Sequence, residues 1–275
     1  MKKILCVILA LILMSPPAIG SVRVGFLAKL NITQDEFQSI VLSERKKNGW
    51  QLMSLNHDKG ESFYYYDSLV DMLMALSAGR IDEAVLPKIV GEYVLNSNSN
   101  MTIASVTQVK PMALVFGFNG TDNGRKIHAE FNKALSDMKS DGTLDKLLDK
   151  YLSEPGINTP EAIEFDEFKG KAIRVAVTGD LPPIDYVAAD GKPAGFNTAV
   201  LAELGRRLRR NIELIDIDSG ARTASLMSGR VDVVFWYEIV KDLDRQPDVP
   251  KGILLSEPYY DWNIFLYISK KQGKK

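Results

Sequence analysis

The chain has 275 residues, 45% hydrophobic and 25% charged, with a formal net charge of −1. That is an ordinary globular composition, with enough length for two domains of about 120 to 150 residues, each able to bury its own core. So small a charge excludes the basic face on which nucleic-acid binding rests, and a single cysteine, Cys6, excludes an internal disulfide.

Residues 1–20 read as a cleaved secretory signal peptide. Lys2 and Lys3 precede an apolar run over 4–14, and Ala18-Ile19-Gly20 supplies small residues for cleavage. The run is too short to cross a bilayer as a stable helix. Cys6 lies inside it without the context of a lipid-anchored cysteine, so the expected product is periplasmic, free of thiols and not a lipoprotein.

A strand opens the mature chain at 22–25, and Thr33-Gln34-Asp35-Glu36 forms a capping box that starts a helix. Leu69, Met72, Leu73 and Leu76 fall at i, i+3, i+4 and i+7, giving the next helix one apolar stripe for a sheet. That helix ends in Gly79-Arg80 and turns into an apolar strand over 83–86. A further strand at 112–116 leads to two helices, 124–140 and 144–152, separated by Asp141-Gly142-Thr143. Phe131, Ala134, Leu135 and Met138 repeat the stripe. Pro155-Gly156 and Pro160 then mark a linker, 153–170.

The stretch 173–196, IRVAVTGDLPPIDYVAADGKPAGF, follows. It reads as a buried strand, a Thr-Gly-Asp turn, a Pro182-Pro183 break, a short strand ending near Tyr186, an Asp190-Gly191 turn and the approach to a helix. The prolines fix φ and donate nothing to a ladder, which holds this loop off the sheet, facing whatever lies above the strand end. The next helix ends in Arg206, Arg207, Arg209 and Arg210, cations that complement its dipole and read as a solvated helix end. An apolar strand at 233–236, a closing strand at 263–267 and a basic tail at 271–275 complete the chain.

The two halves repeat one another. Val22-Arg23-Val24-Gly25 resembles Ile173-Arg174-Val175-Ala176, and Gly79-Arg80-Ile81-Asp82 resembles Gly229-Arg230-Val231-Asp232. Met112-Ala113-Leu114-Val115-Phe116 likewise aligns with Asn263-Ile264-Phe265-Leu266-Tyr267. Strands alternating with helices in both halves predict an α/β fold of two lobes, each a mostly parallel sheet flanked by helices.

Several of these segments together carry a resemblance. They are Val175 through Pro182-Pro183, Tyr186 through Gly191, Gly195-Phe196, Ser228-Gly229-Arg230-Val231-Asp232 and Ser256-Glu257-Pro258-Tyr259-Tyr260. In the other half they are Tyr66-Asp67-Ser68-Leu69, residues 77–82 and LSDMKSDGTLDKLLDKY over 135–151. The set resembles the bacterial extracellular solute-binding proteins of the polar amino-acid type, the two-lobed (type II) periplasmic receptors of ABC importers. That family begins with the Pro-Pro segment and ends on the Asp-Gly-Thr-Leu-Asp-Lys helices. Here the order is reversed, which implies circular permutation, with 154–170 joining the family's old ends and new ends beside the hinge near Ser21 and Lys270. The implied division is 21–110 as lobe two, 111–270 as lobe one with the linking helices 124–152 and the linker, and 271–275 as tail.

The resemblance also implies a solute held in the cleft on strand-end loops. The implied contacts are Asp180, Leu181, Pro183 and Tyr186 on the proline loop, Trp236, Tyr237 and Glu238 at the end of a lobe-one strand, Arg245, and Asn31 and Thr33 in lobe two. Each has a plainer reading as well. Thr33 serves equally as a cap, one of Trp236 and Tyr237 as core packing, and Glu238 and Arg245 as solvated charges. The family's aromatics flanking the prolines are replaced by Leu181 and Ile184, its lobe-two acid falls near Pro87, and its carboxylate-binding arginine falls one residue out of register near Arg245. The expectation is a monomeric binder that delivers a small polar or zwitterionic solute to a membrane ABC permease, with no cofactor or metal. One rival is a dehydratase-like enzyme using Asp180, Asp185 or Glu238 as acid or base, although His57 and His128 lie in separate segments and no serine elbow or phosphate loop occurs. The other rival is a sensory or partner-binding module.

Overall fold

A computed structural model describes residues 22–27, 61–153, 162–241 and 249–271. The leader, the capping box at Thr33 and the linker prolines lie outside them. The first half comprises β1 (Val22–Leu27), β2 (Glu61–Tyr66), α1 (Leu69–Ser77), β3 (Glu83–Pro87), α2 (Lys88–Ser97), β4 (Met101–Asn119), α3 (Asp122–Ser140) and α4 (Thr143–Leu152). The second comprises β5 (Ile173–Val177), β6 (Asp180–Leu181), β7 (Asp185–Val187), β8 (Pro193–Ala194), α5 (Phe196–Leu208), β9 (Ile212–Asp216), α6 (Arg222–Met227), β10 (Val233–Val240), β11 (Ile253–Leu255) and β12 (Tyr260–Lys270).

The helices follow from local chemistry. α1 starts at Ser68, whose hydroxyl accepts the Asp71 N–H, and buries Leu69, Met72 and Leu76 as their spacing predicts. α3 starts at Thr121, whose hydroxyl accepts the Gly124 N–H, and buries Phe131, Ala134, Leu135 and Met138. The arginine cluster does more than end a helix. Arg207 donates to Asp141 Oδ2 at 2.7 Å and to Thr143 Oγ1 at 2.9 Å, tying α5 to the α3–α4 turn, and Arg210, just past α5, reaches Glu130 in the middle of α3.

The strands join into one sheet in the order β2-β1-β3-β12-β4-β10-β5-β9, with β11 also on β4. β1, β2 and β3 run parallel, as do β5, β9 and β10. β12 lies antiparallel to β3, and β4 lies antiparallel to β10. Each half is therefore built alike, as three parallel strands followed by an antiparallel one, and the sheet is mixed. β4 and β12 pair with each other from Tyr260 opposite Leu114 to Lys270 opposite Met101, so both pass from one half into the other. This pairing corrects the expected division. The stretch 265–269, assigned with lobe one, is laddered to β3 of the other half, because strand membership is decided by the partner and not by the preceding segment. Ser269 and Val24 are both level with Glu83, and Lys270 lies about 20 Å along β12 from Ile264.

Each half carries the same clamp at its repeated positions. Arg23 donates Nε and Nη2 to Asp82 at 2.9 and 2.7 Å, while its backbone N–H also donates to Asp82 and the Asp82 N–H returns to the Arg23 carbonyl. Arg174 makes the same bonds to Asp232, the three to its carboxylate all at 3.0 Å. The preceding turns need glycine, with φ of 69° at Gly79 and 74° at Gly229. The Arg23 hydrogen bond holds the Asp82 carboxyl below its ordinary range. At Asp232 burial opposes the charge, and the Arg174 bonds outweigh it. The Asp232 side chain is 9% exposed against 43% for Asp82, so removing one partner costs more at the Arg174–Asp232 clamp. Asp232→Ala is expected to cost about 2–3 kcal/mol in urea unfolding and Asp82→Ala about 1 kcal/mol or less. Both carboxyls are depressed, so their contribution is present above the unfolded value near about 4 and fades as pH falls through the lower folded values. The deficit of Asp232→Ala relative to wild type should therefore narrow in acid.

Candidate functional site

The proline loop is built from the end of β5. Thr178 and Gly179 donate their N–H groups to Asp185 Oδ2 at 3.3 and 2.9 Å, and Thr198 Oγ1 reaches Oδ1 at 3.5 Å. β6 and β7 pair Asp180 with Tyr186 and Leu181 with Asp185, and the Ile184 N–H closes the turn on the Leu181 carbonyl at 2.8 Å. The first two amides of α5, on Phe196 and Asn197, donate to the Pro183 and Ile184 carbonyls. Gly195 permits this approach. Its φ is 104°, and a Cβ there would stand 2.5 Å from the Ile184 oxygen.

This frame decides where the expected residues go. Leu181 and Ile184 are fully buried and belong to the core, as the apolar replacements for aromatics would. Pro183 is buried too. Of the proline-loop set, Asp180 is partly exposed and Tyr186 is half-buried, so Leu181 and Pro183 serve the scaffold and not an open wall. Asp185, weighed above as an acid or base, is 2% exposed and accepts the loop's amides, which makes it a fastening for the turn.

Trp236, Tyr237 and Glu238 lie within β10, which continues to Val240, and not on a loop after it. The pairing slips between Val234 opposite Gly117 and Tyr237 opposite Val115, so one extra residue bulges from β10 where it parts from β5. Glu238 is opposite Leu114, which on its other side is opposite Tyr260, placing these three in one row across the crossing strands. Asn31, Thr33 and Arg245 lie outside the described residues.

The structure adds residues that sequence reasoning missed. Tyr93 on α2 meets Tyr186 with ring centroids 6.3 Å apart. Burial pushes the Tyr186 phenol up to about 12, helped by Tyr93 and Tyr151. Burial likewise raises Tyr260 to about 12, with the Glu92 carboxylate adding to it. Tyr260 packs on Phe196 at 5.6 Å and on Trp262 at 5.3 Å. Tyr259 stacks on Phe116 at 4.6 Å and donates its hydroxyl to Asn197 Oδ1 at 2.9 Å. His128 is engaged structurally, its Nε2 standing 2.8 Å from the Leu255 carbonyl. Among the described residues no group of three or more His, Cys, Asp or Glu could hold a metal ion, and no helix is long and apolar enough to cross a membrane.

The described chain is thus two α/β halves joined by two crossing strands in one mixed sheet. Residues 173–274 match the model of the bacterial extracellular solute-binding proteins, family 3. Solved structures to which the chain shows a distant likeness include the ligand-binding component of an ABC-type import system from Staphylococcus aureus with zinc bound, at 10% identity, covering 91% of this chain and 66% of that one, TM-score 0.46. The periplasmic aliphatic sulphonate binding protein SsuA from Escherichia coli is 14% identical, over 91% of this chain and 65% of that one, TM-score 0.39. An ancestral arginine-binding protein bound to arginine is 13% identical, over 92% and 85%, TM-score 0.42. The chain thus spans slightly less than two thirds of the first two. No curated protein matches it.

The loop's dependence on its fastenings is testable. Asp185→Ala, which strands two amides, should lower unfolding free energy by about 2–3 kcal/mol. Gly195→Ala should lower it by about 2 kcal/mol or more through strain and collision. Both are read by urea denaturation, and unchanged midpoints would show that the turn stands without them.

Proposed function

We propose that the protein is an exported solute-binding protein that captures a small polar or zwitterionic solute between its halves for an ABC-type importer. The observation that carries this reading is the family match over 173–274, which coincides with the half bearing the proline loop. The proposed contacts are Asp180 and Tyr186, Trp236, Tyr237 and Glu238 from β10, and Arg245, Asn31 and Thr33. Glu238 supplies an anion for a cationic group, and Trp236 or Tyr237 a flat apolar surface. A thermal-shift screen of the mature chain against amino acids, short peptides, polyamines and carboxylates tests it. A solute at about 100 times its Kd adds about 2.7 kcal/mol, which in a chain of this size raises Tm by roughly 5–10 °C. Trp236→Ala or Glu238→Gln should then abolish the shift. A screen with no response to any class would remove the reading.

The segment order supports circular permutation as part of the same proposal. Ser269 and Val24 share a level beside Glu83, so Lys271 and Val22 fall at one edge, two strand spacings or about 10 Å apart. A short connection there would restore the family's order. A leaderless chain rejoined from Lys271 to Val22 by a glycine-rich linker, and opened within 154–161, should keep its circular dichroism and melt cooperatively within a few degrees of the parent. Failure to fold would count against the permutation.

A further inference from the structure

α3 and α4 pack on α5 and so go with the second half; the remainder of the first half, β1 to α2, touches that body, besides the crossing strands, where α1 lies alongside β6 and where Tyr93 of α2 meets Tyr186 of β7, ring planes at 47°. Each ring stands on a rigid support. α2 is pressed against β12 so closely that a Cβ on Gly91 would stand 3.0 Å from Leu266 Cδ1. Tyr186 lies in the hairpin fastened by Asp185, beside Tyr151 at the end of α4, and α4 is tied to α5 through Arg207. The supports belong to opposite halves, so rotating one half about β4 and β12 must separate or slide these rings.

We propose that Tyr93 and Tyr186 form an interlobe latch that sets the balance between closed and open forms, and through it the affinity of the solute site. The proposal rests on the clamshell reading above. An aromatic pair of this kind shifts such an equilibrium about two- to tenfold, and apparent affinity follows the population of the competent form. Tyr93 is a positioning residue that need not touch the solute, whereas Tyr186 is also one of the proposed contacts, so the effect on affinity is read at Tyr93.

Small-angle scattering of the mature chain without any solute tests this directly. Tyr93→Ala and Tyr186→Ala should enlarge the radius of gyration, while Tyr93→Phe and Tyr186→Phe, which keep the rings, should match wild type. Circular dichroism and a cooperative melt establish that each variant folds. Should an alanine variant fail to fold, Tyr93→Leu and Tyr186→Leu, which keep the volume without the ring, carry the same expectation. A wild-type radius in the folded ring-less variants, or an equal expansion in the phenylalanine variants, would overturn the latch. Once a solute is found, its Kd should weaken about two- to tenfold in the ring-less Tyr93 variants. Because the scattering uses no ligand, an empty solute screen would sink the proposed function while leaving the latch measured on its own terms.

Discussion

The antiparallel ladder between β4 and β12 is the constraint on which the rest of the molecule depends. β12 completes the sheet beside β3, and β4 completes the sheet beside β10, while the two strands pair with each other across both halves. Neither half can satisfy its sheet edge from its own contiguous segment. The chain must bring 260–270 back to 101–114 before either sheet is whole, a closure over some 150 residues whose entropy is recovered only when both are in place. The core reflects this, because one buried cluster runs without a break from Met72 and Leu76 through Phe116 and Leu266 to Val200 and Leu204.

Within that frame the halves are copies down to single bonds. The repeated Gly-Arg turn positions an aspartate whose carboxylate receives both the side chain and the backbone N–H of an arginine on the first strand of its half. The clamp pins the first parallel strand to the third at its N-terminal end, leaving the opposite ends, where the loops project, free to diverge. The divergence is large. After β3 the chain enters α2 directly at Pro87, while its counterpart β10 runs on as strand to Val240.

Much of this was legible in the sequence because the signals are local. The stripes of α1 and α3, the Pro-Pro hairpin and the Gly-Arg turns are set by spacing and by single residues with restricted φ, and a repeat of about 150 residues is visible as text. What escaped reading depends on distant partners. The division of β12 is fixed by its ladder to β3, to which nothing in 263–267 points. α2 was hidden by Gly91, a poor helix residue whose reason is the close approach of Leu266. With α2 unread, Tyr93 went unnoticed, and with it the contact to Tyr186. β10 was cut short at Trp236 because its apolar run ends there, although the backbone goes on pairing with β4 to Val240.

The burial of Leu181 and Ile184 has a physical consequence at the proline loop. Aliphatic side chains with no polar atoms are buried without leaving a donor or acceptor unmet, and each contributes on the order of 1.5–3 kcal/mol when fully removed from water. The loop is thereby fastened three ways: by core packing from beneath, by Asp185 through its amides, and by α5 through its carbonyls. A loop so held is ordered by the chain itself and needs no other partner to fix its shape. Near the crossing of the two halves the backbone sets Glu238, Leu114 and Tyr260 in one row.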